Sequence, residues 1–222
     1  GIDYSTIIGY SGANRTNLVI PTTAGPKKTT LTTIGDNAFR YLDLIGSLVI
    51  PSTVSSYGSL AFNLNYLSSI DQGYDTKGNK VVSTDGIIYK RTGSGKVDTS
   101  YVYSFANNNN THPVIPSGVK TIGPYAFYYS RIQSISLPEG LTTIGYNAFE
   151  LADLRGTVTI PSTVTSIGSN AFYKAKTWTS FNYYMTKIVN KTNRAFDWRS
   201  ITGGPSAANF VTGTVENWYG DI

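Results

Sequence analysis

The residue types that carry acid–base, nucleophilic or metal chemistry are sparse in this chain. His112 is its only histidine, in the stretch NNTHPVIP, and there is no cysteine among the 222 residues. A Ser-His-Asp constellation or a zinc site would have to be built around His112 or do without histidine. Beside an asparagine run, His112 reads as a solvated loop residue. Without cysteine there is no disulfide, no thiol nucleophile and no thiolate metal ligand. Several of the 13 carboxylates, Asp71, Asp75, Asp85 and Asp98, fall close together in sequence. The string DQGYDTKGN, 71–79, has residue types of a calcium loop but lacks its alternating acidic spacing, and it reads as a turn. A glycosidase pair needs two carboxylates at fixed separation across a cleft, and nothing marks one. The expectation is no catalytic residue, no cofactor site and no metal site: the chain is not read as an enzyme.

Two other residue classes recur at fixed places. Tyr41, Tyr125, Tyr128, Tyr129, Tyr146 and Tyr173, six of 17 tyrosines, flank a repeated Ala-Phe dipeptide. Tyrosine offers a large contact area at small entropic cost and is enriched at interfaces. Stacking on sugar rings is a rival use, and packing over neighbouring corners a plainer one. Hydroxyl residues Thr33, Ser56, Thr121, Thr143 and Ser166 each precede an Ile-Gly or Tyr-Gly pair. Aligned, they form a ladder, read either as cross-strand threonine pairing or as a ligand-contacting face. Arg131 follows two of the tyrosines and adds charge-assisted bonding beside aromatic rings, a pairing common in interface hot spots. The candidate ligand-binding set is therefore Tyr128, Tyr129, Arg131, Thr143 and Tyr173.

The elements that position these residues are repeats. Leu137 to Phe172 contains one unit twice: an apolar residue, Pro, a polar link, an apolar residue, two polar residues, Ile-Gly, two variable residues, Ala-Phe. Pro138 to Phe149 and Pro161 to Phe172 each span 11 positions, and Phe149 to Phe172 spans 23. The same landmarks recur at Pro116 to Phe127 and Pro51 to Phe62, and at Pro21 to Phe39 with 7 extra residues near Ala24 to Thr30. A period of this size marks a solenoid, in which each coil is too small to bury its own apolar face and stacks on the next.

Alternating TVTI and SISL read as short strands, ended by proline, which cannot donate to a ladder. LTTI and VTSI read as second short strands. Gly after Ile is expected to take positive φ and turn the corner. Pro124 or Ser169 is expected to begin a single helical turn. Ala and Phe then point inward, so Phe39, Phe62, Phe127, Phe149 and Phe172 should stack as a buried column.

With its IP, IG and AF landmarks, IPSTVTSIGSNAF resembles the BspA-like leucine-rich repeats of bacterial surface proteins. IIGYSGANRTNLVIP followed by LTTIGDNAF is similar to their opening coil. The resemblance covers roughly Ile7 to Phe196 and lacks a repeated inward Asn or Cys. It implies a right-handed leucine-rich-repeat solenoid and a secreted or surface-displayed interaction module. The fold class expected is a β-rich α/β solenoid with coils of ~22–24 residues, short strands and single helical turns.

One domain, 1–222, is expected. Residues 1–16 would form an N-terminal cap over an open strand edge. Phe62 to Pro116 spans 54 positions where other coils take 11 or 12, so 71–113 is read as an inserted hairpin region. Asp85-Gly86 marks a hairpin between KVVS and IIYK, and a second turn near Gly93 to Gly95 leads into VDTSYVYSFA. This insert is expected to be removable without unfolding the other coils. Asn107 to Asn110 reads as a mobile loop. A degenerate coil runs from Trp178 to Phe196. In the C-terminal cap, 197–222, Trp198, Phe210, Trp218 and Tyr219 seal the end.

Composition narrows the function. Charged residues make up 14%, and the net charge of +5 is scattered, with no phosphate-tracking stripe, so nucleic acid is not an expected partner. No apolar run approaches the ~20 residues needed to span a bilayer. The chain opens GIDYSTII, without Met or a signal peptide, and is expected to be a mature or trimmed form. The expectation is a non-catalytic recognition or adhesion module outside a bacterial cell, binding a host or neighbouring-cell protein. The alternative is a carbohydrate-binding module that uses exposed Tyr and Trp.

Overall fold

Each Pro-to-Phe segment ends in a two-residue strand followed by a tight corner. The computed structural model describes residues 3–161, 163–173, 175 and 178–183. The chain divides into two compact units, Gly1–Asn108 and Asn109–Ile222.

The first unit is built from β1 (Thr6–Ile7), β2 (Thr16–Val19), β3 (Thr23–Ala24), β4 (Thr29–Thr30), β5 (Thr33–Ile34), β6 (Ile45–Val49), β7 (Ser56–Tyr57), β8 (Tyr66–Tyr74), β9 (Lys80–Ser83), β10 (Ile87–Arg91) and β11 (Val97–Phe105). Equivalent strands of successive coils pair in parallel, β1-β5-β7 on one side and β2-β6-β8 on another. The first residues thus form a coil that pairs through β1 and β2. The extra residues of the first repeat close as a small antiparallel hairpin, β3 with β4.

Inside this unit, Leu31, Ile34, Leu44, Leu48, Val54 and Leu67 are buried. Phe39 and Phe62 stack with centroids 5.6 Å apart and planes 4° from parallel. Asn65 is also fully buried. Its Nδ2 donates to the carbonyls of Phe39 (2.7 Å) and Phe62 (2.8 Å), and its Oδ1 accepts the Leu44 amide at 3.0 Å. One side chain thereby satisfies three backbone groups that the core would otherwise leave unpaired.

The inserted region differs from expectation. Asp85-Gly86 is a turn, with φ of +88° at Gly86, but the strands beside it do not pair with each other. β9 pairs with β8 and β10 with β11, both antiparallel. The hairpin turns are Asp75–Asn79, where Asp75 accepts the Lys77 and Asn79 amides at 2.8 Å, and the loop from Thr92 to Lys96. A Cβ on Gly86 would collide with Asn107, so glycine lets the chain cross closely there.

The insert is also no appendage. Ile88 and Ala106 belong to the buried core of this unit, and Ile87, Val102 and Phe105 are buried too. Buried Gln72 donates to the Ile87 carbonyl (2.9 Å) and accepts the Tyr89 amide (2.8 Å), filling the place of a strand backbone. Nor are Asn107 and Asn108 in a loose loop. Both are buried, and Asn108 donates its amide to the Asn65 carbonyl at 2.8 Å.

The second unit comprises β12 (Thr121–Ile122), β13 (Thr143–Ile144), β14 (Gly156–Ile160), β15 (Ser166–Ile167) and β16 (Trp178–Tyr183). β12, β13 and β15 pair in parallel and in register, and β14 pairs with β16. TVTI is a strand, whereas SISL contributes only the bridge from Ser136 to Val114. Phe127, Phe149 and Phe172 stack in sequence, each pair 5.0 Å apart with planes 11–12° from parallel. The expected column therefore runs within each unit. The degenerate coil beyond Tyr183 and the C-terminal cap lie outside the described residues.

Two expectations about the corner are corrected. Among the described residues there is no helix, so the fold is a β-solenoid rather than an α/β one. The backbone alternates instead. Ala126, Tyr128 and Ser130 donate to Gly123, Tyr125 and Phe127 within their coil, while Tyr125, Phe127 and Tyr129 donate to Tyr146, Ala148 and Glu150 of the next. A helix would spend every amide inside its own coil. This corner gives every second amide to its neighbour and so continues the strand ladder around the bend.

The corner glycines also do a different job. Among the described residues, Gly58, Gly145 and Gly168 are not at positive φ. A Cβ on each would collide with backbone of the preceding coil, at Asp36, Pro124 and Tyr146 respectively. Glycine there permits close approach. Left-handed backbone falls instead on Tyr125, Tyr129, Asn147, Leu151 and Asn170, with φ of 54–58°.

Candidate functional site

The second unit carries Tyr125, Tyr128, Tyr129, Tyr146 and Tyr173 at its corners, and the repeat explains their grouping. Counting from the buried Phe, Tyr125, Tyr128 and Tyr129 share one corner, and Tyr146 begins the next. Tyr125 meets Tyr146 edge-on at 5.3 Å and 86°, and meets Tyr128 at 5.7 Å and 76°. Tyr129 lies 6.4 Å from Tyr128. Edge-to-face contacts set the electropositive rim of one ring against the face of another. Tyr129 keeps 50% of its surface exposed and Tyr146 45%, while Tyr125 and Tyr128 are half-buried beneath them.

The backbone holds this cluster in place. The Tyr125 amide donates to Tyr146 at 3.1 Å and the Tyr129 amide to Glu150 at 2.8 Å. Burial first, and then the neighbouring Tyr146, Glu150 and Tyr128, push the Tyr125 hydroxyl's pKa up. It therefore stays a neutral donor at physiological pH.

The five residues singled out in sequence are not all brought together. Tyr128 and Tyr129 are neighbours, and Arg131 is exposed just beyond them. Tyr173 takes the corner position of Tyr128 two coils on, with Glu150 at that position between them. Its carbonyl accepts the Leu151 amide at 2.9 Å. Thr143 is on β13, not on a corner, between Thr121 and Ser166 in the expected hydroxyl ladder. There the Thr142 hydroxyl donates to the Lys120 carbonyl at 2.9 Å, and that of Thr165 to Thr142 at 3.5 Å. These hydroxyls spend part of their capacity on the ladder itself.

Tyr125 and Tyr146 belong to the cluster although the five-residue set omits them. Their signal was present, since both flank an Ala-Phe, but only the coil-to-coil register shows that they touch. His112 is exposed, and its Nδ1 lies 2.8 Å from the Thr111 hydroxyl. Among the described residues no three of His, Cys, Asp and Glu converge as a metal ion would require.

The family model described as BspA type leucine rich repeat region matches the chain in six copies, over residues 11–79 and 98–203. No curated protein matches it. Similar solved structures include a leucine rich cell surface protein from Faecalibacterium prausnitzii A2-165, 21% identical over 81% of this chain and 50% of that one, TM-score 0.44. Another is a leucine-rich repeat protein from Eubacterium ventriosum ATCC 27560, 23% identical over 75% and 50% of the two chains, TM-score 0.48. A third is the pneumococcal vaccine antigen PcpA, 17% identical over 86% and 59%, TM-score 0.43. The chain spans about half the length of the first two of these relatives.

Proposed function

The chain belongs to the BspA-type leucine rich repeat family, and from that membership we propose that it is a non-catalytic recognition module. In this reading it works outside a bacterial cell, secreted or surface-displayed, and binds a protein of a host or neighbouring cell. The observation that carries the reading is the tyrosine cluster of the second unit. Four rings meet on two adjacent corners, two of them about half exposed. The Tyr125 and Tyr129 amides are bonded to the next coil, so the backbone of this corner needs little ordering on binding. A rigid aromatic group with Arg131 alongside has the composition of an interface anchor. Tyr128, Tyr129 and Arg131 are the centre of the proposed surface. Tyr173 and Thr143 extend it along the neighbouring coils.

Fold alone does not name a partner, and tyrosine serves sugars as well as proteins. The test is a paired array of extracellular proteins and of glycans, probed with this chain. Selective binding to a protein supports the proposal. Binding confined to glycans replaces it with the carbohydrate-binding alternative. Among the described residues no helix is long and apolar enough to cross a membrane.

A further inference from the structure

The first unit contains a depression of about 210 Å3 that the tyrosine corners do not explain. Ser55, Ser56 and Tyr57 line one side. Lys90 and Arg91 of β10 and Tyr101 and Tyr103 of β11 line the other. Its basic lining residues are Lys90 and Arg91, and no Asp or Glu lines it.

Arg91 is only 4% exposed, and a guanidinium so buried is ordinarily matched by a carboxylate. Here its partners are neutral. Nε donates to the Tyr57 hydroxyl at 2.8 Å, Nη1 to the Gly95 carbonyl at 2.7 Å and Nη2 to the Ile50 carbonyl at 3.2 Å. Among the described residues the ion pairs are Lys80–Asp71 and Arg155–Asp153, and Arg91 takes part in neither. The carboxylate that feels its charge is that of Asp71, which is already bonded to Lys80 at 2.8 Å, so Arg91 is anchored by neutral groups and makes no direct ion pair of its own.

Lys90 adds a second cation at the exposed rim, its Nζ 4.8 Å from the centroid of Tyr101. The nearby Asp36 carboxylate is engaged by the Ser59 amide at 2.6 Å. Tyr57 and Tyr103 pack 4.8 Å apart, and the Tyr103 hydroxyl is tied to the Gly58 carbonyl, so the aromatic wall is fixed.

We propose that this depression binds the carboxylate of an acidic sugar residue. Its volume is below the ~300–1,000 Å3 of a drug-sized pocket, which suits one ring rather than a whole ligand. Arg91, which makes no direct ion pair, and the rim Lys90 favour an anion. Ser55 and Ser56 offer hydroxyls to a polyol, and Tyr101, with Lys90 over its ring, adds an aromatic wall of the width of a pyranose. An acidic peptide side chain would use the cations and leave the other groups idle. The site is in the first unit and independent of the tyrosine corners, so either proposal can fail without the other.

The test is titration of the full chain by calorimetry or ligand-observed NMR with glucuronate, glucose and N-acetylglutamate. Glucuronate is expected to bind at least about tenfold more tightly than glucose, the range of one charge-assisted bond. Lys90→Gln, an exposed change that spares Arg91, should weaken glucuronate by about the same factor with unchanged melting. No glucuronate binding, equal binding of glucose, or unchanged affinity in Lys90→Gln would each overturn the proposal. Equal binding of N-acetylglutamate would overturn it too, in favour of a peptide carboxylate.

Discussion

The Asn65 side chain donates to the Phe39 carbonyl across one coil, at 2.7 Å, in a core from which it is fully excluded from solvent. Ser130 stands at the same place relative to its own Phe, three residues on, but its buried hydroxyl has no partner among the described residues. Equivalent positions in two coils thus carry opposite polar balances.

Their substitutions should diverge accordingly. Asn65→Ala leaves the Leu44 amide and two carbonyls unpaired in the core, each at about 1–3 kcal/mol. A loss of at least about 3 kcal/mol is expected in urea unfolding. Ser130→Ala removes an unbonded polar atom and should stay within about 1 kcal/mol of wild type, or gain stability. Equal losses would mean that the Asn65 bonds contribute little.

Phe149 is sandwiched between Phe127 and Phe172 at 5.0 Å on each side. Truncation to Ala removes a fully buried ring whose neighbours are locked by inter-coil amide bonds and cannot close the gap. The expected cost is about 3–5 kcal/mol, read as a lowered urea midpoint at unchanged slope. A loss below about 1 kcal/mol, well under that range, would show that the column is not a packing unit.

Much of this was legible in the chain itself, and the failures have a common cause. The Pro-to-Phe spacing located Phe39, Phe62, Phe127, Phe149 and Phe172 in the core, because a solenoid repeats the same burial in each coil. The corner was misread as helical because a bend of i to i+3 bonds makes similar local demands. Only the neighbouring coil distinguishes the two, through bonds such as Phe127 to Ala148 at 2.7 Å. Asp85-Gly86 correctly marked a turn, yet a turn does not say which strands pair, and β9 and β10 pair with β8 and β11 rather than with each other. Arg91 and Asn65 were silent in sequence, since their partners Ile50 and Phe39 are 41 and 26 residues away. Tyr128 and Tyr129 were singled out by their repeat position. Their contact group with Tyr125 and Tyr146 was not.

Glycine at the corner offers a direct check on that correction. A Cβ on Gly168 would strike the backbone at Tyr146, whereas one on Gly118 meets nothing within 4 Å. Neither is at positive φ. Gly168→Ala should therefore destabilise by about 1–3 kcal/mol through overpacking. Gly118→Ala should be neutral or stabilise slightly by restricting the unfolded chain. The pair is read most simply as two melting temperatures. A tolerated Gly168→Ala would return the corner glycines to a purely conformational role.

The central claim is recognition of a protein through the tyrosine corner of the second unit. Its most direct measurement is the affinity of the Tyr128→Ala, Tyr129→Ala, Arg131→Ala variant for the protein ligand that the array selects. All three side chains are exposed or half-buried, so the variant should keep the wild-type circular dichroism spectrum. With hot-spot truncations of about 2 kcal/mol or more each, the account predicts a loss of at least about a hundredfold. Wild-type affinity in a folded variant would contradict it and place the binding surface elsewhere on the chain.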